Sequence, residues 1–145
     1  MSLYDRPSLE ALIDAVRLHL ETAIIPLVKG DPRLYFQTLV AANVLKIAAR
    51  ESALGWAHLQ AAWESMNRLQ GVDTPLPGDP VEARDLLTAR RADLAGAIRA
   101  GEYDDRSAAL LDHLLEVTRL QLEVANPRLL DILDAEDLAE DHIDQ

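Results

Sequence analysis

The sequence predicts an all-α fold, a single-domain bundle of about five helices, on three observations. Apolar residues recur every three or four positions along most of the chain. The residues that favour helices, above all Leu, Ala, Arg and Glu, are abundant. Proline and glycine divide the chain into five such periodic segments. We expect residues 1–130 to form one domain, since chains of this length commonly do.

The first predicted helix follows Ser8, whose hydroxyl can accept a hydrogen bond from a free backbone N–H at a helix start. Pro26 lacks an N–H, so it should kink or end this helix and leave the Thr22 carbonyl without its usual partner. Gly30 is the expected stop. The apolar face follows three-and-four spacing and comprises Leu9, Leu12, Ile13, Val16, Leu20, Ala23, Ile24 and Leu27.

Asp31 followed by Pro32 predicts a second helix, because an acidic cap and a proline in the first helical position both favour a start. One short turn separates the first two helices, so we expect them to form an antiparallel hairpin. The second helix is apolar around most of its girth over residues 34–49, which predicts a central position. Gly55 should break or bend the chain before a third helix, whose stripe is Trp56, Leu59, Trp63 and Met66.

Residues 71–80 contain three prolines and two glycines, which predicts a loop. A fourth helix should run from Val81 to Gly101, and Ser107 should cap a fifth. The fifth helix should pack through Leu110, Leu111, Leu114, Leu115, Thr118, Leu122 and Ala125. Residues 131–145 hold seven acids and no Lys or Arg, which predicts an acidic tail that is disordered or frayed.

The whole net charge of -11 arises from the second half of the chain, residues 73–145. Residues 1–72 hold seven acids and seven bases, whereas residues 73–145 hold eighteen acids and seven bases. Such a surface repels polyanions, so we expect binding neither to nucleic acid nor to an anionic membrane. The absence of cysteine excludes disulfides and thiolate chemistry, and no secretory signal is apparent, so the expected location is cytoplasmic.

Motifs for catalysis, metals and cofactors are missing from the sequence. The four histidines have no partner at metal-ligand spacing, and the glycines form no phosphate loop. His113 stands beside Asp112 and one turn from Glu116, which we interpret as a solvated charged face. A Ser–His–acid triad is recognised by geometry, and no sequence pattern favours one here. We therefore predict no catalytic residue, no metal site and no cofactor.

Five polar residues are the candidates for a site: Asn43, Arg50, Glu51, Asn126 and Arg128. Asn43 lies within an apolar run, so we expect it to be buried and hydrogen-bonded to backbone or to another core polar group. Arg50 comes later on the same face, where it can form an ion pair or bind an anion. The tryptophan stripe of the third helix predicts core packing or a dimer surface, with a ligand-stacking wall as the alternative.

Three segments in order carry a family resemblance: residues 5–12, residues 39–45 continuing to Arg50 and Glu51, and residues 125–128. Together they resemble a bacterial family of small helical proteins that is described only as a domain of unknown function. Genes of that family tend to lie near acyl-CoA dehydrogenases and aminoglycoside-phosphotransferase-like kinases. The resemblance covers most of residues 1–130 and implies no catalytic residue.

The leading functional hypothesis is a non-catalytic accessory or interaction protein, present as a homodimer that buries at least about 1,200 Å² in total. The resemblance adds that its protein partners are neighbouring enzymes of acyl-CoA or phosphotransfer metabolism. The alternative is a small-molecule, anion-binding protein or cryptic enzyme. Its pocket would lie between the second and fifth helices and be lined by the five polar candidates.

Overall fold

The computed structural model describes the backbone of residues 7–141 and the side chains of residues 7–136. No β-strand occurs in this range, which confirms the all-α prediction. The chain divides into two compact units, Met1–Gly55 and Trp56–Gln145. The helices are α1 (Leu9–His19), a π-helical turn (Leu20–Ile24), α2 (Ile25–Val28), α3 (Pro32–Gln70), α4 (Pro80–Arg99), a 3-10 turn (Asp104–Arg106), α5 (Ser107–Ala125) and α6 (Pro127–Asp141).

Side-chain caps set the starts of α1, α3 and α4. The Ser8 hydroxyl accepts from the Ala11 amide at 3.2 Å, and Asp31 accepts from two amides at the start of α3, both at 3.0 Å. The predicted caps Ser8 and Asp31 are confirmed, and Asp79 caps α4 in the same way. The predicted cap at Ser107 is wrong. The 3-10 turn before α5 makes this residue helical already, so its side chain caps nothing.

The predicted break at Gly55 is wrong, because α3 runs through it as one helix of 39 residues. A glycine inside a helix costs only about 1 kcal/mol relative to alanine, and the neighbouring residues favour helix strongly enough to offset that. The predicted second and third helices are therefore one element. It contributes to both compact units, with residues 32–55 in the first and 56–70 in the second.

Pro26 does not end the first helical segment. Ahead of it the helix widens into the π turn, where the Ile25 amide donates to the Leu20 carbonyl, five residues back. The wider turn accommodates a residue that cannot donate and whose ring would crowd the preceding carbonyls in an α-helix. The helix then continues as α2 to Val28.

In the first unit, α1 and α3 form the predicted antiparallel hairpin. Glu21 pairs with Lys46 at 2.8 Å, while Glu10, earlier on α1, lines a cavity with Arg50, later on α3. The side of α3 that is most covered has the three-four spacing of a helix seam: Tyr35, Thr38, Ala42, Leu45 and Ala49. We call this set the inner stripe. Its two alanines are the only buried residues in the described part of the first unit.

The second unit has a larger core. Trp63 packs with Ala62 and Leu87, and Met66 packs with Leu69 and Leu94. The side of α5 that faces this core carries Leu110, His113, Val117, Leu120 and Val124.

The predicted packing face of the fifth helix is therefore right at Leu110 but wrong at Leu111, Leu114 and Leu115, which are exposed. Apolar residues lie on both sides of this helix, and the side that contains a histidine is the one that packs.

The acidic segment continues α6 as far as Asp141, so the backbone of residues 131–141 is helical. Leu130 is buried, and Asp134 forms an ion pair with Arg119 of α5 at 2.6 Å, which ties the start of the segment down. The rest of the predicted tail, residues 142–145, lies outside the described residues.

Gly71, with φ of +66°, should not tolerate alanine. It ends α3 with the Val72 amide donating to the Asn67 carbonyl, and an L side chain at such φ costs about 1–2 kcal/mol. We expect Gly71→Ala to lower the free energy of unfolding, measured by urea denaturation, by that amount. Gly78→Ala is the control, since a Cβ at either glycine meets nothing within 4 Å but the φ of Gly78 lies outside the left-handed region. Equal losses in the two variants would contradict this account.

Candidate functional site

A group of four polar side chains, two of them buried, joins α3 to α5 in the second unit. The Ser65 hydroxyl lies 2.8 Å from Nδ1 of His113 and donates to Oε2 of Glu116 at 2.7 Å. Arg68 donates to both oxygens of Glu116, at 2.9 and 2.6 Å. Ser65 is 2% exposed and His113 is 5% exposed. We call these four residues the serine–histidine cluster.

Charge and burial fix the protons of the cluster. Burial alone would raise the pKa of Glu116. Hydrogen bonds from Ser65 and Arg68 and the nearby positive charge outweigh burial and lower this pKa, so Glu116 is a carboxylate. Burial lowers the pKa of His113. Arg91 and Arg68 lower it too, while Glu116 opposes them, so the imidazole is neutral at pH 7. Because a carboxylate only accepts, the hydroxyl donates to Glu116 and must accept from N–H at Nδ1.

This order of donors differs from that of a catalytic triad. In a triad the imidazole accepts the proton of the serine hydroxyl and so activates its oxygen. Here the imidazole donates to that oxygen, and the hydroxyl proton points at a carboxylate, which is a weak base. The adjoining cavity of about 180 Å³ is lined by members of the cluster together with Leu69, Ala109 and Asp112. The arrangement therefore satisfies buried polar groups and does not supply a nucleophile.

Trp63 and Arg90 hold the loop between α3 and α4. The Trp63 indole and the Asn67 amide both donate to the Thr74 carbonyl, at 2.8 and 2.9 Å. The Arg90 guanidinium lies 4.6 Å from the centre of the Trp63 ring and donates to Asn67 and Gln70. Burial lowers the pKa of Arg90, and its hydrogen bonds to these two side chains are to neutral amides.

Most side chains of the stripe predicted as a possible interface, Trp56, Leu59, Trp63 and Met66, pack within the second unit. Trp63 and Met66 are buried in the core of the second unit, where α4 covers them, and Leu59 packs against the same core. Trp56 alone of the four is substantially exposed, at 41%.

A charged cavity of about 540 Å³ lies between α1 and α3 in the first unit. Arg17 donates to Asp14 and Glu21 at 2.9 and 2.6 Å, and Lys46 contacts Glu21 at 2.8 Å. The hydrogen bond from Lys46 is the main reason that the pKa of Glu21 is lowered, although burial opposes it. Arg17 and Lys46 are therefore engaged by carboxylates, and the pair of Lys46 with Glu21 joins α3 to the π turn that follows α1.

Arg50 is the one sequence-predicted candidate that lines this cavity. Glu51, also in the first unit, is exposed, with its carboxylate beside Gly55. Asn43 is exposed as well, so the prediction that it is buried within the chain is wrong: the side of α3 that it occupies has no neighbour in the hairpin. Asn126 and Arg128 are exposed in the second unit, where Asn126 ends α5.

Sequence reasoning missed Ser65 and His113, and the interpretation of His113 as part of a solvated face is wrong. The signal lay in the spacing: His113 stands three residues after Leu110 and four before Val117, in a stripe of inward positions. Ser65 likewise stands between Ala62 and Leu69. A polar residue in such a stripe should have been predicted as buried and paired.

Among the described residues, no cluster of three or more carboxylate or imidazole side chains is arranged to hold a metal ion. None of the helices in residues 7–141 has the length and apolar character that crossing a membrane requires.

A family model described as "Domain of unknown function (DUF6285)" matches residues 28–129, more than half of the chain. Comparison with curated proteins and with solved structures finds no match.

The depressed pKa of His113 should make stability depend on pH. The unfolded imidazole, with a pKa of about 6.5, takes up a proton before the folded one, so stability is full above that value and falls as pH drops below it. We expect the free energy of unfolding to fall between pH 7.5 and 5.5 by at most about 1.4 kcal/mol per pH unit for this group.

His113→Asn retains a donor near Nδ1 and should remove this part of the slope, which urea denaturation across the pH range measures. His19→Asn, a change on an exposed face of the first unit, is the control and should keep the slope. If His113→Asn retains the full slope of the wild type, this assignment is wrong.

Proposed function

We propose that this chain, which belongs to the DUF6285 family, is a non-catalytic interaction protein whose first unit associates with the first unit of a second copy. The observation that supports this is an imbalance of burial. The described part of the first unit buries only Ala42 and Ala49. It exposes ten large apolar side chains: Leu9, Leu12, Val16, Leu18, Leu27, Leu34, Phe36, Leu39, Val40 and Val44.

The exposed area is large enough for a stable interface. Ten half-exposed side chains of this size present on the order of 1,000 Å², whereas each partner contributes about 800 Å² to an interface of standard size. Large exposed apolar patches commonly mark sites of protein–protein interaction. A two-helix hairpin has a single seam between its helices, so it cannot cover these side chains itself.

A second copy is the occupant that shape and charge favour. Two hairpins that pack face to face make a four-helix bundle, and a two-fold axis lets one surface serve both copies. Residues 1–55 hold six acids and six bases, so two copies of the first unit do not repel each other by net charge. A strongly charged partner gains no attraction from a neutral surface.

The protonation of the serine–histidine cluster supports the non-catalytic part of the proposal, because it leaves Ser65 without a base. An accessory role for acyl-CoA or phosphotransfer enzymes is supported by the gene neighbourhood of the family that the sequence resembles. The alternative function, binding of a small anion, is favoured by the cavity lined by Arg17, Lys46 and Arg50. Since carboxylates already engage Arg17 and Lys46, the interaction role is better supported.

Sedimentation equilibrium tests self-association. We expect the wild type to be dimeric at micromolar concentration and Val40→Glu to weaken the dimer at least tenfold, because it places a charge in the apolar surface. Val81→Glu is the matched control: Val81 is 62% exposed but lies in the second unit, at the start of α4. A monomeric wild type at high micromolar concentration would contradict the proposal, and so would equal effects of the two substitutions.

A further inference from the structure

A second stripe runs along α3 in the first unit, on a different side of the helix from the inner stripe. Phe36, Val40, Asn43 and Ile47 are spaced by four, three and four residues, as in a coiled-coil seam. We call them the outer stripe. Leu39 and Val44 flank it, and both are exposed, as are Phe36 and Val40. Since α1 packs along the inner stripe, the outer stripe is the side of α3 that remains open to a second copy.

Asn43 stands inside the outer stripe and is exposed. Once a partner covers it, its amide must find a hydrogen bond or lose those it makes with water. Between Phe36 and Ile47 the stripe offers no other polar side chain. On an identical copy, the only polar group that the stripe can present to Asn43 is therefore Asn43 itself.

We propose that the Asn43 amides of two copies hydrogen-bond to each other at a two-fold axis and thereby fix the register of the dimer. An amide carries both donors and acceptors, so two of them can bond reciprocally. A shift of the two helices by one turn would bury each Asn43 against an apolar residue and leave it unsatisfied. A single asparagine in an apolar seam acts in this way in coiled coils, where it specifies register at some cost in affinity. This inference rests on the proposed self-association.

The chain has no cysteine, so one introduced thiol reports unambiguously on which residues meet. Because a disulfide needs Cα atoms about 4.4–6.8 Å apart, only residues near a two-fold axis cross-link to themselves. We expect Asn43→Cys, under mild oxidation, to give a covalent dimer on non-reducing gels at least tenfold faster than Ala41→Cys. Ala41 is also exposed and only two residues away, but it lies off the outer stripe.

Asn43→Leu tests the role of the amide separately. We expect sedimentation equilibrium to show association at least tenfold tighter than in the wild type, with species larger than a dimer, because the apolar seam no longer penalises other registers. Circular dichroism of the same samples shows whether each variant retains its helices, and a variant that loses them is replaced by Asn43→Val.

The outcomes separate the two proposals. A wild type that is monomeric overturns self-association and this inference together. A dimeric wild type with equal cross-linking rates for Asn43→Cys and Ala41→Cys overturns the inference alone. A discrete dimer of unchanged affinity in Asn43→Leu does the same.

Discussion

The packing of the second unit depends on one constraint: the residues of each helix that face the core recur at alternating spacings of three and four. On α4 these positions are Ala83, Leu87, Arg90, Leu94 and Ala97, and α5 obeys the same rule from Leu110 to Val124. Each helix admits one polar side chain into the series: Ser65 on α3, Arg90 on α4 and His113 on α5. Ser65 and His113 are buried and Arg90 is partly buried, so their polar groups need favourable contacts within the chain. One buried nitrogen of Arg90, Nη1, has no hydrogen-bond partner among the described residues.

The contacts of these three side chains take two forms. Ser65 and His113 are hydrogen-bonded to each other, and Ser65 also donates to Glu116. Glu116 in turn accepts from Arg68, and both of these charged side chains reach solvent. Arg90 instead lies on an aromatic ring and donates to two neutral amides, which are themselves close to the start of the loop. Networks of this kind contribute little net stability compared with apolar replacements, but they penalise any other alignment of the same helices.

The features that the sequence predicted well are those decided locally. Ser8 and Asp31 cap their helices, and the proline-rich loop separates α3 from α4, because these effects act within one turn of the residue concerned. The choice of a packing face is different. Where apolar residues lie around most of a helix, as on α3 and α5, periodicity allows two faces, and only the position of the neighbours selects one. This is why the burial of Asn43, the burial of His113 and the packing face of α5 were predicted wrongly. The break predicted at Gly55 was wrong for another reason: the helix-favouring residues around the glycine outweighed its own low helix propensity.

The π turn in the first unit couples two features of the sequence that could otherwise vary independently, the extra residue of the turn and Pro26. A π turn amounts to one residue inserted into a helix, and it rotates the helix before it by about 100° relative to the helix after it. Deleting a residue from Leu20–Ile24 would restore regular α-helix, but it would return Pro26 to a clash with the carbonyl four residues earlier. Replacing the proline alone would leave an unneeded bulge. Homologous chains should therefore carry the extra residue and the proline together or lack both, and alignments that score them separately will misplace the start of α1.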